Sequence, residues 1–162
     1  MQFTSYSLAD TAQMGRSLAA LLRVGDSLAL SGDLGAGKTE LARAVIRALS
    51  DEGADVPSPT FNLVQPYDVR LSDGKECTLW HYDLYRIENP EELVELGMNE
   101  VTSTGVAIIE WPERAEGLLP PGYLAILLRY GAEEGSRVME LIELGNWQDR
   151  LKQLKVGVGH AA

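Results

Sequence analysis

The chain has 162 residues, of which 45% are hydrophobic and 23% are charged, and its formal net charge is −10. This length and composition are typical of one globular domain, which we predict to cover residues 1–156, with a flexible tail at 157–162. The acidic charge argues against tight direct binding of nucleic acid by this chain alone, because such binding depends on a basic surface. The single cysteine excludes an internal disulfide. Since there is no signal peptide and no apolar stretch of about 20 residues, we expect a cytoplasmic protein without a membrane partner.

The first predicted elements are a strand, a helix and a second strand. Residues 2–6 have the composition of a short strand, and Ser7 with Asp10 forms a pattern like a helix-capping box. Apolar residues then recur at helical spacing over residues 8–23, which predicts an amphipathic helix. The short apolar run at residues 27–31 predicts a buried strand that leads into the next motif.

Residues 32–39, Gly-Asp-Leu-Gly-Ala-Gly-Lys-Thr, match the phosphate-binding pattern G-x-x-x-x-G-K-[ST] at every required position. Its glycines let the backbone curl so that several N–H groups point at one anion. In this pattern Lys38 reaches the β- and γ-phosphates, and the hydroxyl of Thr39 holds Mg²⁺. The strand before the motif and an amphipathic helix over residues 40–49 supply the required context. We therefore predict a site for a nucleoside triphosphate with Mg²⁺.

The rest of the chain predicts two hairpins on either side of a buried strand. In chain order we expect a loop at 50–59, strands at 60–69 and 77–83 joined by a turn at 72–74, a short helix from Asn89 to Gly97, a strand at 106–109, strands at 123–130 and 137–143, and a helix at 146–156. The continuous apolar run at 106–109 is typical of a strand buried on both faces of a parallel sheet. The predicted fold class is α/β: a three-layer domain of the P-loop NTPase type, with a parallel central sheet and antiparallel hairpin additions.

Two carboxylates are candidates for chemistry beside the phosphate loop. Glu110 directly follows the buried strand, where an acid can hold Mg²⁺ through a bound water; a cap or a salt bridge is the alternative. Asp83 ends another strand on the same face as His81. It suits a water-orienting or switch role, or else it bonds to the backbone of a turn. For His81 we favour a structural role, since a lone histidine is most often structural.

Functional and structural interpretations stay open for two further segments, residues 58–60 and Trp111. The hydroxyls of Ser58 and Thr60 follow the helix after the loop, where they suit either contact with Mg²⁺ or the γ-phosphate, or a rigid entry into the next strand. Trp111 directly follows Glu110 and suits a stacking or partner surface, or packing at the edge of the core.

Five sequence blocks together resemble the TsaE family, the small bacterial ATPases of tRNA threonylcarbamoyladenosine biosynthesis. In the family's order and spacing, they are residues 32–39, Ser58-Pro59-Thr60-Phe61, His81-Tyr82-Asp83-Leu84-Tyr85-Arg86, Pro90-Glu91-Glu92-Leu93 and Ile109-Glu110-Trp111-Pro112. The resemblance runs from about Leu8 to about Tyr130. Many families share the phosphate loop, whereas the H-x-D-L-Y-R and E-W-P blocks are specific to this one.

The resemblance implies that the chain binds ATP and Mg²⁺ and hydrolyses ATP, slowly when alone. It implies docking on a complex of the proteins TsaD and TsaB, which transfers threonylcarbamoyl to adenosine 37 of tRNA, so that tRNA contact falls to the partners. By the same resemblance the catalytic residues are Lys38, Asp83 and Glu110, and the metal ligands are Thr39 and Glu110. The implied nucleotide contacts are Thr11, Asp33, Leu34, Gly35, Ala36, Gly37, Lys38, Thr39 and Glu40.

Glu40 departs from the family pattern, which usually has a second hydroxyl residue at this position. A carboxylate there repels the nucleotide unless its side chain turns outward. We therefore expect ATP to bind this chain more weakly than a Glu40→Thr variant.

Other functions remain open at the level of sequence. A small-molecule kinase is one alternative, although no arginine-rich lid is visible in the sequence. A regulatory GTPase is a second, although the N-K-x-D and D-x-x-G signatures are absent. The third is a nucleotide-gated interaction module that does not depend on hydrolysis.

Overall fold

A computed structural model of the chain describes residues 1–50, 55–57, 59, 62–115, 117–142 and 145–154. Within these ranges the elements are β1 (Gln2–Ser5), α1 (Leu8–Ala19), β2 (Ser27–Ser31), α2 (Lys38–Leu49), β3 (Val64–Arg70), β4 (Glu76–Asp83), α3 (Glu91–Glu95), α4 (Val101–Thr104), β5 (Val106–Glu110), a 3-10 turn (Pro112–Ala115), β6 (Leu124–Tyr130), β7 (Arg137–Ile142) and α5 (Trp147–Leu151). The predicted domain limit at residue 156 and the predicted tail at 157–162 lie outside the described residues and stay predictions.

The strands form one mixed sheet in the order β1-β7-β6-β2-β5-β4-β3. Its four central strands, β6, β2, β5 and β4, run parallel. The outer pairs β3–β4, β6–β7 and β1–β7 are antiparallel. The predicted α/β class is therefore confirmed, as are the two predicted hairpins. In the part of the chain that the structure describes, no helix has the length and apolar character needed to cross a membrane.

Every residue of β5 before Glu110 is apolar, because both faces of this strand are covered by the core. Val106 and Ile108 belong to the larger core cluster, which also contains residues of α1, α2 and α5. Ala107 and Ile109 belong to a second cluster, with residues of α3 and α4. Side chains alternate between the two faces of a strand, so β5 is covered on both faces, and every one of its residues is buried.

Helices α1 and α2 lie against each other on the larger core, and a glycine permits their close approach. A Cβ added at Gly15 would lie 2.3 Å from the Cβ of Ala44, which is far inside van der Waals contact. Helix α2 begins at Lys38, two residues before the predicted start, because Gly37 is its N-cap with a φ of 106°. The first turn of α2 is therefore part of the phosphate-binding motif itself.

Several predicted element limits were wrong. Helix α1 ends at Ala19 instead of residue 23, because the chain turns through Leu21 and Leu22 with shorter-range hydrogen bonds. Strand β3 begins at Val64 instead of residue 60, because Leu63 has a φ of 61°, outside the strand region; residues 60 and 61 lie outside the described part. Helix α5 ends at Leu151, and the last two residues of its predicted span are also undescribed. The short helix α4 and the 3-10 turn were not predicted.

A buried ion pair joins α5 to the start of β2. Arg150 donates two hydrogen bonds to Asp26, with Nη1 2.6 Å from Oδ2 and Nη2 2.8 Å from Oδ1. The backbone N–H of Arg23 donates to Asp26 Oδ2 at 2.7 Å, and Arg150 Nη1 donates to the carbonyl of Leu21 at 3.1 Å. The guanidinium lies 3.8 Å from the ring centroid of Trp147. This cluster fixes the chain where it enters the strand that leads to the phosphate-binding motif.

Candidate functional site

The phosphate-binding motif forms a loop between β2 and α2, and its glycines are required by the backbone and by close neighbours. Gly32, Gly35 and Gly37 have φ values of 146°, 75° and 106°. A Cβ added at Gly32 would lie 2.4 Å from the carbonyl oxygen of Leu128, and one at Gly35 would lie 2.6 Å from the hydroxyl of Tyr130. Both steric and conformational limits therefore favour glycine at these positions.

The side chain of Lys38 lies against the backbone of the loop and is only 5% exposed. Its Nζ donates hydrogen bonds to the carbonyls of Gly32, at 2.5 Å, and Asp33, at 2.8 Å. The same atom lies 4.1 Å from the ring centroid of Trp111, a cation–π contact. Burial lowers the pKa of Lys38 below its usual value, while nearby carboxylates, Glu110 foremost, act in the opposite direction. The predicted phosphate-contacting lysine is thus fixed inside the loop.

Trp111 has a strained backbone, with a φ of 58° that bulky side chains rarely adopt. Its ring lies between Lys38 and Tyr85, whose ring centroid is 4.9 Å away at an interplanar angle of 45°. Both interpretations of Trp111 find support, because it packs against the second core cluster and also lines the pocket in front of the loop.

The end of the β6–β7 hairpin supports the outer side of the loop. Tyr130 donates its hydroxyl to the carbonyl of Leu34 at 2.7 Å, and Arg137 Nη2 donates to the carbonyl of Gly35 at 3.2 Å. The Arg137 guanidinium lies 4.5 Å from the Tyr130 ring centroid. Neither residue was predicted to lie at the site, because hairpin signals do not reveal which loop the hairpin lies beside.

Glu110 lies directly beneath the first turn of α2, as expected for a metal-side carboxylate. Thr39 Oγ1 donates to Glu110 Oε1 at 2.7 Å, and His81 Nε2 lies 2.6 Å from Glu110 Oε2. Glu110 is 1% exposed. Asp83 lies opposite Glu110 in the parallel pairing of β4 with β5. Three predicted site residues therefore meet at the carboxyl ends of neighbouring strands and the start of one helix.

Asp83 makes the predicted turn interaction and also lines the pocket, whereas its water-orienting or switch role stays a prediction. Its Oδ1 accepts the backbone N–H of Tyr85 at 3.1 Å, which is the turn interaction. It also lines a pocket of about 370 Å³ in front of the loop, together with Lys38, Thr39 and Glu110. The turn bond orients the carboxylate without removing it from the pocket.

The donor set of this pocket fits Mg²⁺ bound together with a nucleotide. Mg²⁺ prefers oxygen ligands and usually takes only one or two from protein, with phosphates and water supplying the rest. The Thr39 hydroxyl and the Glu110 carboxylate are two such oxygens, already 2.7 Å apart. Among the described residues, no group of three or more His, Cys, Asp or Glu side chains could hold a metal alone. The pocket thus matches a nucleotide-dependent magnesium site better than an all-protein one.

Thr11 lies in a separate groove next to the loop pocket. Its hydroxyl is 2.9 Å from Ser5 Oγ, and it lines a groove of about 470 Å³ between α1 and α2. Glu40 lines both the groove and the loop pocket, and so joins them. Of the other predicted nucleotide contacts, five line the loop pocket and two line neither depression: the five are Leu34, Gly35, Gly37, Lys38 and Thr39, and the two are Asp33 and Ala36.

Comparison with known proteins agrees with the motifs. The family described as "Threonylcarbamoyl adenosine biosynthesis protein TsaE" matches residues 5–139. The chain belongs to the TsaE family. A protein of Rickettsia felis named "tRNA threonylcarbamoyladenosine biosynthesis protein TsaE" is 38% identical over 133 residues, covering 82% of this chain and 74% of the relative. A protein of Nostoc sp. with the same name is 39% identical over 149 residues, covering 86% of each chain.

A solved structure has the same fold as this TsaE-family chain. The crystal structure of Bacillus subtilus YdiB superposes with a TM-score of 0.74 at 25% sequence identity, covering 95% of this chain and 93% of the other. Two blocks best distinguish the TsaE pattern, His81 to Arg86 and Glu110 to Pro112, and they lie at the carboxyl ends of the adjacent parallel strands β4 and β5. Ser58 and Thr60, a further part of that pattern, lie outside the described residues, and their roles stay predictions.

Glu40, where this chain departs from the TsaE pattern, is paired with a neighbour on α2. Its Oε1 accepts from Arg43 Nη1 at 2.6 Å, and Arg43 Nε donates to the carbonyl of Val56 at 2.7 Å. The pair is partly exposed, with side-chain exposures of 43% for Glu40 and 27% for Arg43. Arg43 therefore offsets part of the negative charge of Glu40 that is expected to weaken nucleotide binding.

We expect Glu40→Thr to bind ATP about threefold more tightly than the unmodified chain, because partly exposed charge interactions contribute about 0.2–1 kcal/mol. Calorimetry at matched salt and Mg²⁺ measures the difference. Glu76→Thr is the control, since Glu76 is an exposed carboxylate that also pairs with an arginine but does not line either depression. Equal dissociation constants for the Glu40→Thr variant and the unmodified chain would refute the prediction.

Proposed function

We propose that this TsaE-family chain is a Mg²⁺-dependent ATPase of the P-loop NTPase type, with a three-layer fold, that acts in tRNA threonylcarbamoyladenosine biosynthesis. It works on a complex of TsaD and TsaB in the cytoplasm and supports the turnover of that complex. The pathway rests on the names of its relatives. The observation that carries the ATPase assignment is the contact of Thr39 with Glu110, 2.7 Å apart, in the same pocket as Lys38.

Each residue of the pocket has a separate task in this proposal. The backbone N–H groups of the loop bind the phosphate oxygens, and the Lys38 ammonium neutralises part of their charge. Thr39 and Glu110 hold Mg²⁺, which when bound withdraws negative charge from the phosphates. Asp83 lies across from Glu110 and orients water for attack or switches the site. The groove that contains Thr11 receives the nucleoside part of ATP.

The charge of the chain fits a division of labour between partners. A net charge of −10 disfavours direct binding to the tRNA backbone. In the proposal the partners hold the tRNA, and this chain contributes nucleotide turnover.

We expect Glu110→Gln and Asp83→Asn to lose about 100-fold or more in ATP hydrolysis, because positioned acid–base and metal-holding groups contribute at least that much. Both variants still bind ATP, since the loop and Lys38 remain. Phosphate release is measured with and without purified TsaD and TsaB, and both partners together stimulate the unmodified protein. Glu113→Gln is the control, because Glu113 is an exposed carboxylate near Lys38 that does not line the pocket.

Two results would contradict the proposal. One is hydrolysis by Glu110→Gln at the rate of the unmodified protein. The other is ATP binding by the unmodified protein without phosphate release, alone or with both partners, which would favour a nucleotide-gated interaction module. Phosphorylation of an added metabolite in place of phosphate release would favour a kinase.

A further inference from the structure

His81 contacts the buried carboxylate on which the proposed magnesium site depends. It is 0% exposed, and its Nε2 lies 2.6 Å from Glu110 Oε2. Thr39 holds the other oxygen, Oε1, at 2.7 Å. The two oxygens of Glu110 are thus held from opposite ends, one by a residue of α2 and one by a residue of β4.

Strand register brings His81 into this position. Strand β4 pairs with β5 in parallel, with His81 opposite Ile108 and Asp83 opposite Glu110. Because alternate residues share one face of a strand, His81 and Asp83 project to the same side. One strand therefore supplies both a pocket carboxylate and a donor that reaches diagonally to the carboxylate of its neighbour.

The Nε2–H group of His81 donates its hydrogen bond to Glu110. An ionised carboxylate only accepts hydrogen bonds, so we assign the ring hydrogen to Nε2. The other ring nitrogen, Nδ1, is buried and has no hydrogen-bond partner in the described part of the chain. The single N–H of this ring therefore donates to Glu110.

We propose that His81 is a positioning residue, which holds Glu110 so that Oε1 faces Thr39 and the magnesium site. The proposal rests on the function proposed above. A buried carboxylate held by a single hydrogen bond can rotate about its last side-chain bond, and a second donor fixes the plane of its oxygens. Groups that orient a metal ligand in this way typically change metal affinity about 10–100-fold when they are removed.

Two substitutions of similar polarity separate this role from simple packing. The amide nitrogen of Gln lies near the position of the imidazole Nε2, whereas that of Asn lies near Nδ1. His81→Gln therefore keeps a donor within reach of Glu110, and His81→Asn does not. Thermal unfolding in EDTA shows how far each substitution affects folding itself.

The measured quantity is the magnesium effect, defined as the ratio of the ATP dissociation constant in EDTA to that in excess Mg²⁺. We expect His81→Asn to reduce this ratio about 10-fold and to leave the constant in EDTA within about twofold. His81→Gln keeps the ratio within about threefold of the unmodified protein. Electron paramagnetic resonance provides a second measurement, the binding of Mn²⁺ in the presence of ADP. We expect the unmodified protein and His81→Gln to bind Mn²⁺ more tightly than His81→Asn.

Equal magnesium effects in His81→Asn and the unmodified protein would overturn the proposal, as would equal losses in the two variants. If His81→Asn does not fold, His81→Gln decides: a preserved magnesium effect supports the proposal, and a 10-fold loss overturns it. If instead the proposed ATPase function is wrong, the unmodified protein itself shows a different result. It then binds ATP without any magnesium effect, or does not bind ATP at all.

Discussion

Lys38→Met is expected to bind ATP about 100-fold more weakly than the unmodified protein. Hydrogen bonds to charged groups contribute about 1.5–3 kcal/mol, and each 1.4 kcal/mol corresponds to about tenfold in affinity. Three carboxylates line the loop pocket, those of Glu40, Asp83 and Glu110, against the two cations of Lys38 and Arg86. Removing Lys38 therefore raises the excess of negative charge that faces a polyphosphate from one to two.

Calorimetric titration with ATP and Mg²⁺ measures this loss. Lys75→Met is the matched control, because it removes the same charge from the exposed turn between β3 and β4 and isolates the long-range effect of net charge. Thermal unfolding checks that Lys38→Met keeps its fold after losing two hydrogen bonds to the loop. ATP affinity within threefold of the unmodified protein would contradict the assignment of Lys38.

Arg150→Met is expected to lower the free energy of unfolding by about 3–5 kcal/mol, because it leaves the buried carboxylate of Asp26 without its charged partner. Asp26 and Arg150 are each 6% exposed and make two hydrogen bonds to each other. The stacking of Arg150 on Trp147 is lost as well. The same change weakens the attachment of α5 to the start of β2, the strand that leads to the phosphate loop.

Urea unfolding measures the effect, and Arg129→Met is its control. Arg129 pairs with Glu140 on the β6–β7 hairpin, but both side chains are about half exposed, at 52% and 42%, so we expect a loss below about 1 kcal/mol. The double variant Asp26→Leu with Arg150→Met removes both buried charges and should be more stable than Arg150→Met alone. A loss for Arg150→Met no larger than that for Arg129→Met would show that the buried pair is not the attachment we describe.

Local sequence was sufficient to predict the loop at residues 32–39 and two of the pocket carboxylates, Asp83 and Glu110. Glycine, lysine and threonine at fixed spacing determine the loop, because the backbone geometry and the start of α2 follow from those residues. Glu110 and Asp83 could be predicted because each stands at the carboxyl end of a strand, and parallel strands end at the same edge of a sheet. These inferences needed only residues close together along the chain.

Contacts between distant segments were not predictable in this way. The contact of His81 with Glu110 was not predicted, because nothing local shows that β4 pairs with β5 in the register that brings the ring to Glu110. Tyr130 and Arg137 were paired in a predicted hairpin, but their contacts with the loop join residues about 100 positions apart. Arg150 and Asp26 are likewise separated by 124 positions. Such pairs depend on the order of strands in the sheet, which short-range patterns do not specify.

The proposed function requires that the loop pocket binds ATP together with Mg²⁺. This requirement is tested by calorimetric titration of the unmodified protein with ATP, once in excess Mg²⁺ and once in EDTA. We expect one ATP per chain and a smaller dissociation constant in Mg²⁺ than in EDTA. An absence of binding heat in both titrations, with no rise in the thermal unfolding midpoint on addition of ATP, would contradict it.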